Sequence, residues 1–149
     1  MKTKQTYTHY IEWLSADQMH EASKEWLSEL EFIKDEHLFF EDLITTFTSQ
    51  IIEFGKFSDT KEIIDAINRS EKKNNDLIKA VKNHENNLQV MVDHLDQLEE
   101  EKAYTAEHKS LITTITDFLE AYKSLKSQLF DIIKNIKKID KQNHLIDNR

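Results

Sequence analysis

Histidine is the residue of this chain that carries the most chemistry. There are seven histidines and no cysteine. Imidazole ligates metals and exchanges protons near neutral pH. Without cysteine, disulfides, thiolate catalysis, iron–sulfur clusters and cysteine-based zinc sites are excluded. Three of the histidines, His37, His84 and His108, stand inside apolar heptad patterns, one in each of three successive stretches. A bundle core lined with histidines and carboxylates is how four-helix proteins hold iron. In KDEHLFFEDL, Glu41 follows His37 by four residues, one turn along a helix, so the two share a side. No Ser/His/Asp set, glycine-rich phosphate loop or close acidic pair in a cleft accompanies them. The expectation is therefore a protein that is not an enzyme.

The His37-x-x-x-Glu41 pair resembles the hemerythrin-like family, whose bundles present such a pair to a di-iron site. The resemblance covers about ten residues. It implies a metal-binding helical bundle with His37 and Glu41 as ligands. The family pattern continues with H-x-x-x-H and H-x-x-x-x-D. Here His84 and His94 are ten apart, about 80° off a common face, and Thr113 stands five after His108. There is no Glu-x-x-His pair of the ferritin-like kind either. Asp17-x-x-His20 falls in a first helical turn and reads as a cap.

Long amphipathic helices must position these groups. The chain has 149 residues, one glycine and no proline; 38% of it is apolar and 32% charged. That composition excludes the turn-rich sandwiches and barrels and suits heptad-patterned helices. Trp26, Leu30, Ile33, His37, Phe40, Ile44, Phe47, Ile51 and Phe54 recur in steps of four and three, which is one face of a helix. Ser15 and Gln18 form a capping box at its start, with Leu14 and Met19 at the flanking staple positions. Gly55, just past the last apolar residue, reads as the C-cap. Ser58 or Asp59, with Glu62, caps the next helix. The second stripe runs from Ile63 to Leu98 through Asn74, Leu77, Val81, His84 and Leu88. The third runs from Tyr104 to Ile139 through His108, Ile115, Phe118, Tyr122, Leu129 and Ile136. Between them the phase slips by one residue, which predicts a turn at about 102–105 with Thr105 as N-cap.

The predicted fold is all-α: an elongated up-down-up antiparallel three-helix bundle with a short N-terminal arm. It is one domain over residues 1–149, with helices at about 16–54, 59–101 and 105–141. Turns centred near 56 and 104 set a register. His37 then falls beside Asn74, His84 beside Tyr122, and His108 near an end where it is wet. In that register the three histidines spread over ~30 Å, too far for one metal. His37, Asn74, His84 and Tyr122 are expected to form buried polar layers, which fix register in a heptad core. The same register sets acidic helix-one residues Glu29 to Asp42 beside the lysines at 123, 126, 134, 137 and 138 of helix three.

Phe32, Phe39 and Leu43 lie off the first stripe at i, i+7 and i+11 and form a second apolar strip. Apolar surface beyond the core marks an interface. The expectation is a helical-bundle interaction protein, self-associating through helix one as a homodimer, with no cofactor. A net charge of −8 argues against nucleic acid as a partner. No apolar run reaches the ~18 residues of a membrane span. MKTKQTYTHYIEW lacks the apolar region of a signal peptide, so the expected place is the cytoplasm.

Overall fold

The computed structural model describes residues 15–53, 57–93 and 98–147, with side chains at most of these positions. The predicted arm at 1–14 and the predicted cap at Gly55 lie outside the described residues. Three helices pack against one another as an all-α bundle: α1 Ala16–Glu53, α2 Phe57–Asp93 and α3 Leu98–Asp147. No described helix is long and apolar enough to cross a membrane.

The stripes account for the helices. Leu30, Ile33, His37, Phe40 and Ile51 of α1 are buried, as are Ile67, Asn74, Leu77, Val81, His84 and Leu88 of α2. Tyr104, His108, Ile115, Phe118, Tyr122, Leu129 and Ile136 form the matching buried row of α3. Most helical stability comes from burying such a face rather than from intrinsic propensity. The start of α1 is made as its sequence specifies. Ser15 N–H donates to Gln18 Oε1 at 2.9 Å, and Gln18 N–H donates to Ser15 Oγ at 3.2 Å. Two otherwise orphaned backbone donors are thereby satisfied. Thr45, Thr46 and Thr48 lie within α1, each hydroxyl donating to the carbonyl four residues back.

The second break is earlier than predicted. Residues 102–105 are helical, α3 starts at Leu98, and Thr105 Oγ1 donates to Glu101 O within the helix instead of capping it. The sequence carries a signal for this: Asp96, an N-cap type, stands three before Glu99, the spacing of a capping box. Moving a reversal by n residues moves each pairing of the two antiparallel helices by twice n. The expected α2–α3 partners are therefore replaced.

The chain forms two compact units, each built from all three helices. Unit 1 is Met1–Ile33 with Asn74–Phe118, and unit 2 is Lys34–Lys73 with Leu119–Arg149. In unit 1, α1 and α2 run antiparallel, since His20 meets Glu85 while Leu30 meets Asn74. Trp26 of α1 and His84 of α2 both meet His108 of α3. In unit 2, His37 meets Ser70 of α2 and Tyr122 of α3. Farther along α1, Phe40 meets Phe130 and Phe47 meets Lys137, so α1 and α3 are parallel there.

Candidate functional site

The heptad positions of α2 and α3 carry His84 and His108 into the interior of unit 1, where both are fully buried. His84 does not meet Tyr122, and His108 is not wet; the earlier start of α3 brings the two histidines together. His84 Nε2 and His108 Nδ1 are 2.9 Å apart. On its other side, His84 Nδ1 lies 2.5 Å from Glu107 Oε1. The hydrogen-bond chain assigns the protons. A carboxylate only accepts, so His84 Nδ1 carries the hydrogen and donates to Glu107. With a neutral His84 its Nε2 is the acceptor, and His108 Nδ1–H donates to it. That leaves His108 Nε2 as a bare lone pair, buried and without a hydrogen-bond partner.

Rings enclose the pair. Tyr104 stacks on His84 with centroids 4.0 Å apart and planes 4° apart, and Trp26 stacks on His108 at 4.7 Å. Tyr104 also belongs to an apolar cluster with Met19 and Leu88, against which Ala16 packs. Burial pushes the Tyr104 hydroxyl well above its ordinary pKa, with Glu85 and Glu107 adding to it. Burial first, then the neighbouring His84, lowers His108 to about 4. His20 of α1 pairs with Glu85 of α2, whose charge acts on Tyr104. Asn74 Nδ2 donates to Leu30 O at 2.9 Å, while Asn74 Oδ1 and Glu85 Oε1 are buried without partners.

Unit 2 is built differently. His37 is buried there, hydrogen-bonded through Nε2 to Ser70 Oγ at 3.0 Å and packed at 5.2 Å from the Tyr122 ring. Ser70, not Asn74, is its partner, because α1 reverses slightly earlier than the register assumed. Tyr122 donates its hydroxyl to Glu36 Oε1 at 2.9 Å, and Lys126 reaches the same carboxylate at 3.3 Å. Burial first, then Glu36, pushes the Tyr122 hydroxyl up. Here the acidic face of α1 does meet a lysine of α3.

Glu41 does not join His37 as a ligand pair. It is exposed, and its carboxyl is held above the ordinary carboxylate range first by a hydrogen bond to Glu71, then by that residue's charge. His37 Nε2 is engaged by Ser70. Among the described residues no three His, Asp or Glu side chains converge as a metal site. The groups around His37 do not fit the two-metal centre that the hemerythrin-like resemblance implies, and we derive no chemistry through one.

The off-stripe residues of α1 are Phe32 in unit 1, 63% exposed, and in unit 2 Phe39, 56% exposed, with Leu43 half-buried. In unit 2 the buried Phe40 packs against two exposed rings. Phe39 lies 6.1 Å from it and Phe130, 44% exposed, lies 5.8 Å from it edge-on. Phe130 escaped the sequence reading because a lone phenylalanine beside a strong apolar stripe looks like the stripe's edge. No family model matches the chain, and neither a curated protein nor a solved structure matches it.

Proposed function

We propose that this chain is a non-enzymatic helical interaction protein that self-associates through the aromatic face of α1. The observation behind this reading is the exposed pair Phe39 and Phe130, each packed against buried Phe40 in unit 2. Aromatic residues are enriched at interface cores, where they remove large apolar area from water at small entropic cost. Phe32, farther up α1, adds an exposed ring to the same helix.

The charges favour a second copy as the occupant. On α1, Phe39 has Asp35 and Asp42 within one turn; on α3, Phe130 has Lys126 and Lys134 at the same distance. A two-fold dimer presents one patch to itself in reverse. The acidic side of one protomer then lies against the basic side of its partner, which favours association and sets orientation. Phe39→Glu places a charge in that patch and leaves the interior untouched, since the side chain is already exposed. We expect multi-angle light scattering to give a dimer mass for the wild type and a monomer mass for Phe39→Glu and Phe130→Glu, with helical content unchanged. A monomeric wild type at high micromolar concentration would end the proposal.

A further inference from the structure

The buried histidine pair of unit 1 has no part in the interface reading, and its geometry has a consequence of its own. Neutral, the network is consistent: Glu107 accepts from His84, and His84 accepts from His108. An added proton has no good place. On His108 it creates an Nε2–H in a buried position where no acceptor meets it. On His84 it turns Nε2 into a donor facing His108 Nδ1–H, so His108 must change tautomer and again point a hydrogen into the unpartnered site. Both routes bury a charge or an unsatisfied donor, and either is expensive away from water.

We infer that the His84–His108 pair is an acid-sensitive latch, whose protonation opens unit 1 around the Met19, Leu88 and Tyr104 cluster. The titratable groups against the pair are Tyr104 and Glu107 from α3; Glu85 from α2 acts on Tyr104 and holds His20 of α1. Glu107 contacts His84. His108 has rings around it instead: Trp26, His84 and Tyr104. The carboxylates therefore do not offset a charge on His108. The sign follows from linkage. His108 is lowered to about 4 in the folded chain against an ordinary 6.5, so between those values the unfolded chain binds more protons. Stability is fully present above about pH 6.5 and is lost as pH falls towards 4. Over that window the folded-to-unfolded ratio of unit 1 drops by about two orders of magnitude.

Trp26, stacked on His108, reports the event. There are two tryptophans, and Trp13→Phe leaves Trp26 alone. In full-length Trp13→Phe protein, we expect Trp26 fluorescence to change between pH 6.5 and 4 together with binding of the dye ANS. Adding His108→Leu should abolish both changes, while His20→Gln and His37→Gln should leave them in place. A response unchanged by His108→Leu, or removed by either of the other two, overturns the latch. If the His108 variant does not fold, side-chain nitrogen NMR of wild-type histidines decides. His108 should stay neutral with its proton on Nδ1 until near pH 4; titration of His108 at or above pH 6 overturns the inference.

Discussion

The two units are made from the same three helices and the same heptad pattern, yet they spend their interiors differently. Unit 1 buries His84, His108, Asn74 and Ser23 among its aliphatic residues, and several of its buried polar atoms lack hydrogen-bond partners, His108 Nε2, Asn74 Oδ1 and Glu85 Oε1 among them. Unit 2 buries Phe40, Ile67, Leu129, Ile133 and Ile136 together with the polar His37 and Thr60; His37 is bonded to Ser70, and the bond of Tyr122 to Glu36 reaches a partly exposed group. Among the described residues, unit 2 leaves two exposed rings, Phe39 and Phe130, against the buried Phe40. The proposed contrast is between an interior whose stability responds to the proton count of a coupled histidine pair and one governed chiefly by volume. An unpaired buried polar group and a cavity are the two commonest sources of large mutational effects, and each unit is exposed chiefly to one of them.

The strongest test of that contrast is Phe40→Ala. Phe40 touches Phe39, His37, Tyr122 and Phe130, so truncation removes contacts on all sides. A buried phenylalanine replaced by alanine costs about 3–5 kcal/mol. We expect that loss in urea unfolding, unchanged between pH 7 and pH 5. A loss below about 1 kcal/mol would mean that the exposed rings collapse into the space and that volume does not govern unit 2. The counterpart in unit 1 is His84→Leu. It removes the acceptor of a buried His108 N–H, which costs about 1–3 kcal/mol at pH 7. Adding His108→Leu removes the orphan as well, so the double variant should be more stable than the single one. If the double variant is instead worse by the sum of two independent losses, the pair is not a coupled unit and the contrast fails there.

The stripes were legible because burial and period are local properties. Leu30, Ile33 and Phe40, or Ile115, Phe118 and Tyr122, announce a face from spacing alone, and the Ser15–Gln18 box announces an end. What was not legible was the partner of each buried polar group. That depends on where the chain reverses, and no glycine or proline marks the second reversal. The phase slip between Leu98 and Tyr104 located the disturbance but not its side. Placing the break at 102–105 separated His84 from His108; starting α3 at Leu98 puts them in hydrogen-bond contact. The lysine–acid match between α1 and α3 did not expose the error. Charges spread over several turns tolerate a shift of one turn, whereas a single hydrogen bond does not.

Smaller effects sharpen the comparison from the polar side of unit 2. Tyr122→Phe keeps the buried ring and deletes only the hydroxyl bonded to Glu36. Glu36 remains partly solvated and still has Lys126, so no charge is stranded. The expected loss is about 1 kcal/mol, the usual net worth of one hydrogen bond. Two to three times that would show that unit 2 also depends on its polar bonds, as unit 1 does.

Lys126→Ala should have the smallest effect. The lysine is a third exposed and meets a carboxylate that is about a fifth exposed, at 3.3 Å, with its ammonium 5.4 Å from the Tyr122 ring. Half-solvated pairs of this kind contribute at most about 1 kcal/mol and are weakened by salt. We expect a loss of a few tenths of a kcal/mol in thermal unfolding at low salt, vanishing at 1 M salt. The same substitution also acts on the proposed dimer, because Lys126 flanks Phe130. If association opposes the acidic edge of one protomer to the basic edge of the other, Lys126→Ala weakens it far more than it weakens folding. Dimer dissociation measured across salt concentration separates the two: equal small effects on both would leave the patch apolar in character, without the charge match that favours a second copy.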